Sequence, residues 1–316
     1  MQFRTKISIL DSNNPIDYNS KIVSLGSCFA VNMAEKLDYF KFQNTCNPFG
    51  ILFHPLAIEK LMDFAVSGKQ FSDDDVFFYE ERWHSFDLHS DWSNSNKEEL
   101  IANLNTVVQS TRQQISEATH IIITYGTSWV YRNLASNAIV ANCHKVPQKQ
   151  FDKEILSVET IENSIENTIA LIQKVNPKAN VVFTVSPVRH LKDGFVENQL
   201  SKSHLITAIH QTINDKPQTI NYFPSYEIMM DELRDYRFYA EDMIHPNQVA
   251  IDYIWERFSE TSISEESHSI MKEVETIQKG LQHRPFNPNS ESHIKFEEKL
   301  AKKINKIVSQ YSFMKF

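Results

Sequence analysis

Glycine is scarce in this chain of 316 residues. Only six are present, at Gly26, Gly50, Gly68, Gly126, Gly194 and Gly280. Their spacing excludes both G-x-G-x-x-G and the P-loop, and with them the common glycine-rich nucleotide sites. Cysteine is sparse too. Cys28, Cys46 and Cys143 are odd in number, far apart and free of any CxxC, which argues against a disulfide framework and a zinc ribbon and fits a reducing compartment. No metal site and no cofactor is expected. No apolar run is long enough to span a bilayer, and Met1 to Leu10 alternates polar and apolar without the apolar stretch of a secretory leader. A cytoplasmic protein with no membrane partner is therefore expected. Basic blocks are also missing: Lys and Arg number 32 against 40 Asp and Glu, a net charge of −8. That balance argues against nucleic acid as a partner. A chain this long buries a sizeable core without staples.

What is present is an alternation of apolar β-branched runs with helical periodicities. Strands are expected at Ile22 to Leu25, Phe40 to Cys46, His120 to Thr124, Asn180 to Val185 and Thr219 to Phe223. Helices are expected from Cys28 to Leu37, His54 to Val66, Lys97 to Ala118, Val158 to Val175 and Glu197 to Asn214, and from about Asn247 to Phe258. Strand and helix in turn predict an α/β fold with a doubly wound parallel sheet of five strands. Right-handed crossovers then gather the strand-to-helix loops on one edge. Phe71 to Trp92 is rich in aromatics and reads as a β-hairpin inserted outside the main sheet, over about 71–95. The stretch after Trp129, to about Ser157, with Cys143 and His144, reads as loop-rich, and that pair as incidental. Two helical patterns follow, about Glu265 to Leu281 and Ser290 to Tyr311. The division expected is a domain over 1–260 and a C-terminal helical extension over 261–316, whose apolar stripe packs on the domain or on a second copy.

The first strand stops at Gly26, and Ser27 and Cys28 open a helix. Exposed N–H groups there favour negative charge, so a thiol at that position should ionise more easily than usual. Ser27 has the ordinary role of a helix N-cap. A nucleophile needs a base, and the base needs an orienting group. Asp242 and His245 are three residues apart, so a helical turn or tight loop puts them on the same side, the carboxylate holding Nδ1–H and leaving Nε2 free. Pro246 suits the first position of the next helix. Arg189 and His190 follow the fourth strand on the same edge and are candidates for substrate contact. In the hairpin, His84 and His89 are five apart and should face opposite sides, so they share no metal.

Gly26-Ser27-Cys28-Phe29-Ala30 resembles the motif that names the GSCFA family, with Asp242-x-x-His245-Pro246 where that family's second block falls. Asn47-Pro48-Phe49-Gly50, Trp83 to Asp87, Tyr125 to Trp129 and Ser186 to His190 extend the resemblance over most of Val23 to Ile254. That family is similar to the SGNH (GDSL-like) hydrolases, which implies a three-layer α/β/α sandwich and hydrolysis or transfer of an acyl ester, often on a carbohydrate or lipid. Aligned on the glycine, Cys28 falls on the nucleophile and Ser27 one position early, as the alternative. The resemblance implies an oxyanion hole from the Cys28 N–H, Gly50 and Ser128, the last standing where an asparagine is usual. Asn47 and Thr127, within the matching blocks, join Arg189 and His190 as candidates for substrate contact. The expected partner is a small-molecule or glycan acyl ester. A non-catalytic module that binds a glycan or acylated metabolite is the alternative, and a flavodoxin-like nucleotide binder a distant third.

Overall fold

The computed structural model describes residues 4–214 and 219–316. Five parallel strands make the central sheet: β1 (Lys21–Gly26), β2 (Gln43–Cys46), β5 (His120–Tyr125), β9 (Asn180–Val185) and β10 (Ile220–Phe223), in the order β10-β9-β5-β1-β2. The order reverses between β1 and β5, so the crevice of the fold opens beyond Gly26 and Tyr125. Every residue of β5 is buried, as is all of β1 after Lys21, which is why these strands read as unbroken apolar runs.

Alternate residues feed two cores. Val23, Leu25, Ile121, Ile123, Val181 and Phe183 pack against α2 (Pro55–Ser67), α3 (Lys97–Glu117), α4 (Val158–Val175) and α5 (Phe195–Asn214). Ile22, Ile122, Val182 and Phe223 pack against α1 (Cys28–Tyr39) and α7 (Gln248–Ser262). The result is a three-layer α/β/α sandwich. Between β10 and α7 lie a single turn, α6 (Ser225–Glu227), and a wider π turn over Ile228–Glu232.

α8 (Glu265–Leu281) and α9 (Glu291–Gln310) cover the α1/α7 layer through Met271, Val274, Ile277 and Ile307. They cross closely: a β-carbon on Gly280 would stand 2.8 Å from a Leu300 methyl. None of the described helices is long and apolar enough to cross a membrane.

The inserted hairpin is shorter than expected. Only β3 (Phe77–Tyr79) pairs with β4 (Arg82–His84), and the turn between them holds Glu80 and Glu81 at φ 44° and 61°. His89 lies beyond β4, so strand alternation does not relate it to His84. The stretch that reads as loop contains a second sheet instead, with β6 (Trp129–Asn133) between β7 (Ile139–Val140) and β8 (Phe151–Ile155). Its strands are short, and Asp152 and Lys153 face solvent beside buried Phe151, so little apolar alternation marks them. His144 is not incidental. It is buried, with Nε2 2.6 Å from the Ser85 carbonyl and its ring 4.8 Å from that of His84.

Candidate active site

Gly26 makes the β1–α1 turn possible. Its φ is +126°, and a β-carbon there would lie 2.1 Å from the Thr124 carbonyl oxygen. No side chain fits that approach. Ser27 donates its N–H to the same oxygen at 3.0 Å, binding the turn to the end of β5. Ser27 occupies the N-cap position of α1, but its hydroxyl makes no capping bond. The hydroxyl is fully buried and unpartnered, with its Cβ 3.2 Å from where a Gly126 side chain would begin. Cys28 is half-buried and free. Of the two nucleophile candidates, Cys28 alone keeps some exposure to solvent.

The expectation that the helix end lowers the Cys28 pKa is overturned. Burial pushes the thiol up, against the smaller downward pulls of Lys202 and of the Cys28 and Phe29 N–H groups. Desolvation of a thiolate outweighs the helix N-terminus here.

Asp242 and His245 meet in a tight turn. His245 Nδ1 is 2.6 Å from Asp242 Oδ2, while Oδ1 accepts the N–H groups of Ile244 and His245 at 2.8 and 3.0 Å. These bonds, His245's side chain first, hold the Asp242 carboxyl down at about 2. An ionised partner on Nδ1 keeps a proton there and leaves Nε2, which makes no hydrogen bond in the structure, as the basic nitrogen. Pro246 is not the first helical residue. Asn247 caps α7, accepting from the Ala250 N–H at 3.1 Å, and Pro246 precedes it, bridged to Tyr239.

Arg189 anchors this turn instead of presenting its charge to solvent. Its backbone N–H donates to the Ile244 carbonyl at 3.1 Å, and its guanidinium donates to the Met243 carbonyl and lies 3.9 Å from the Tyr239 ring centre. His190 stands beside it with a buried, unpartnered Nε2. Burial, then Lys202 and His245, lower its pKa to about 3, so it is neutral and close to both. With Thr127, Phe53, Trp129 and Tyr131 it lines a cleft of about 480 Å³ that runs out under β6 and β7. That volume suits a small organic ligand.

Two expected oxyanion donors are engaged elsewhere. The Gly50 N–H donates to the Asn47 carbonyl at 2.7 Å, closing the turn after β2. The Ser128 hydroxyl donates to the Ser201 carbonyl at 3.2 Å, and the Ser128 N–H donates to the Ser201 Oγ at 2.8 Å. Thr127 is likewise tied, its Oγ1 lying 3.0 Å from Ser201 Oγ. Asn47 remains: its Oδ1 accepts the Gly26 N–H at 2.7 Å, and its Nδ2 is buried without a partner. Among the described residues, no three His, Cys, Asp or Glu converge to hold a metal ion.

Sequence reasoning missed Lys202. It is fully buried in α5, and its Nζ donates to the Gly126 carbonyl at 2.7 Å and the Ser186 carbonyl at 2.8 Å. Both acceptors lie just beyond the ends of β5 and β9. The signal was available: Asn198, Ser201, Lys202, Leu205, Ala208, Ile209 and Thr212 form the buried stripe of α5, and a lysine on such a stripe is rare.

Comparison with curated proteins finds no match. Residues 274–316 match the GSCFA domain protein, C-terminal domain, a span that takes in the end of α8 and all of α9. Residues 21–258 match the GSCFA family, from the first residue of β1 into α7 and across every element of the site just described. The chain belongs to the GSCFA family.

Proposed function

We propose that this protein hydrolyses or transfers an acyl ester through a covalent thioester on Cys28, in the manner of the SGNH hydrolases that its motifs resemble. Cys28 Sγ attacks the ester carbonyl carbon and its proton passes to His245 Nε2. The Cys28 N–H and the orphaned Asn47 Nδ2 are the donors available for the oxyanion, in place of Gly50 and Ser128. The carbon–oxygen bond then breaks, and the alcohol leaves with the proton from His245. Water attacks the thioester, His245 takes a proton from it, and the thiol is restored; a second alcohol in place of water makes the reaction a transfer. One observation carries this reading. The Asp242–His245 pair, at 2.6 Å with Nε2 free, follows the last strand of the sheet and is close enough to His190 to act on its charge. The free cysteines support a reducing, cytoplasmic setting.

The test is p-nitrophenyl acetate turnover with mass spectrometry of the peptide containing Cys28. An acyl adduct on that peptide, accumulating when His245→Ala slows its hydrolysis, is the expected result. Unchanged turnover in His245→Ala overturns the reading. The engaged Gly50 and Ser128 favour a second reading, a module that binds a glycan or acylated metabolite without turnover. Saturable binding to the wild-type protein with no adduct at any time supports that one instead.

A further inference from the structure

Lys202 is a buried amine with no anion among its hydrogen-bond partners. It has no exposed surface, and its hydrogen bonds go to two neutral backbone carbonyls, those of Gly126 and Ser186. The groups around it are Cys28 on α1, His190 after β9 and the ring of Tyr226 on α6, whose centre is 5.7 Å from Nζ. Tyr226 donates its hydroxyl to Gln199 at 2.7 Å, and burial keeps its pKa up at about 12. No carboxylate is among them. Buried charges are ordinarily paired, and Cys28 is the member of this set that becomes an anion.

The geometry also explains why the lysine is fixed rather than free to reach water. Gly126, whose carbonyl receives one Nζ bond, packs directly on Ser27. Its N–H donates to the Phe53 carbonyl at 2.7 Å. Ser186, whose carbonyl receives the other bond, donates its own N–H to the Tyr125 carbonyl at 2.8 Å. Two strand ends therefore hold the amine beneath the β1–α1 turn, where it and the Cys28 thiol act on each other's charge.

We propose that Lys202 is the buried countercharge of the Cys28 thiolate, a positioning residue that makes ionisation of this desolvated thiol possible. The two groups then titrate as a pair. The proton that leaves Cys28 goes to His245 or to solvent, and Lys202 keeps its own while the thiolate exists. Burial lowers the pKa of the amine, and the neighbouring Cys28 anion works the other way, raising it. The inference bears on turnover only if the thioester reading is right, but it concerns Cys28 ionisation and can be read without any ester.

The experiment is site-resolved alkylation by peptide mass spectrometry at pH 8.5. In the intact wild-type protein, the ratio of anionic iodoacetate rate to neutral iodoacetamide rate at Cys28 should exceed that of free glutathione several-fold. In Lys202→Met, the Cys28 rate with iodoacetamide should fall about tenfold, the change that a thiol pKa raised by about one unit produces below its midpoint. Cys46 and Cys143 should keep their rates. A wild-type ratio equal to that of glutathione overturns the proposal, as does an unchanged Cys28 rate in folded Lys202→Met. If the variant does not fold, the wild-type ratio decides alone. Ester turnover absent in a protein that passes both tests would reject the thioester reading and leave this one standing.

Discussion

Histidines gather in two parts of this molecule, and the contrast between them separates chemistry from architecture. In the insertion, His84 and His144 use both ring nitrogens on neutral partners. His84 reaches Ser93 Oγ at 2.6 Å and the Tyr79 carbonyl at 3.0 Å, and His144 reaches the Ser85 carbonyl at 2.6 Å and Ser90 Oγ at 3.2 Å. Phe77 packs against both rings. These imidazoles tie the hairpin to the 141–146 loop and leave no nitrogen for a ligand. At the sheet edge, His245 has an ionised carboxylate on one nitrogen and nothing on the other, with about half of its side chain exposed. A histidine is poised for proton transfer when one nitrogen is oriented and the other is left open.

Swapping the same change between the two places gives the largest expected effect. His245→Ala should lower p-nitrophenyl acetate turnover by roughly 10²- to 10⁴-fold and leave the urea midpoint in place. His144→Ala should do the reverse, costing about 2–3 kcal/mol of stability through a cavity and two unpaired polar groups with turnover preserved. If both variants lose activity at unchanged stability, the division between the two regions fails. Next in size is Gly26→Ala. A β-carbon at 2.1 Å from the Thr124 carbonyl, on a backbone at φ +126°, should cost roughly 3 kcal/mol or more. Gly68→Ala, where nothing stands nearer than 3.9 Å, carries only the cost of its positive φ. Equal urea midpoints for the two variants would show that the turn yields.

The parts of the fold most legible in sequence were those covered on both sides. Asn180–Val185 and Val158–Val175 have the bounds that their apolar patterns predict. The 129–155 sheet was illegible because its strands are half solvated and as short as two residues. Asp242 and His245 could be paired from spacing alone, since three residues in a tight turn bring a carboxylate back to its own histidine. Gly50 and Ser128 could not be judged that way. Whether a donor is free depends on what lies opposite it, and Ser201, which receives the Ser128 hydroxyl, comes from a helix more than seventy residues away. The Cys28 pKa shows the same limit: a helix N-terminus is written in the sequence, whereas the degree of burial that outweighs it is not.

Acid should expose the architectural histidines as a group. Burial lowers His144 and His54 from an ordinary 6.5 to about 4. The unfolded chain takes up these protons near 6.5 and the folded protein only near 4, so this stabilisation is complete above 6.5 and is lost as pH falls towards 4. His54 adds a geometric reason. Its Nδ1 accepts the Ala57 N–H at 3.2 Å as the cap of α2, and its Nε2 faces the Val140 carbonyl at 3.1 Å. A protonated ring cannot accept, so the cap is lost. Urea midpoints between pH 7 and 4 should fall in the wild type and fall less steeply in His144→Gln; parallel slopes would remove His144 from the account. Asp242 has the opposite reach, since its pair with His245 persists until pH approaches about 2.

The smallest effect should come from the residue that the sequence makes most conspicuous. Ser27 offers a hydroxyl that is buried, unpartnered and not used as a cap. A buried hydroxyl without a hydrogen bond costs stability rather than supplying it. Ser27→Ala should therefore leave turnover within about twofold, a difference under roughly 0.5 kcal/mol in barrier height. It should hold or raise stability by up to about 1 kcal/mol. Cys28→Ala, one residue along and half-exposed, should abolish the acyl adduct at similar stability. Loss of the adduct in Ser27→Ala with its retention in Cys28→Ala would reverse the assignment. The β1–α1 turn would then have to open far enough to bring Ser27 Oγ out from beneath Gly126.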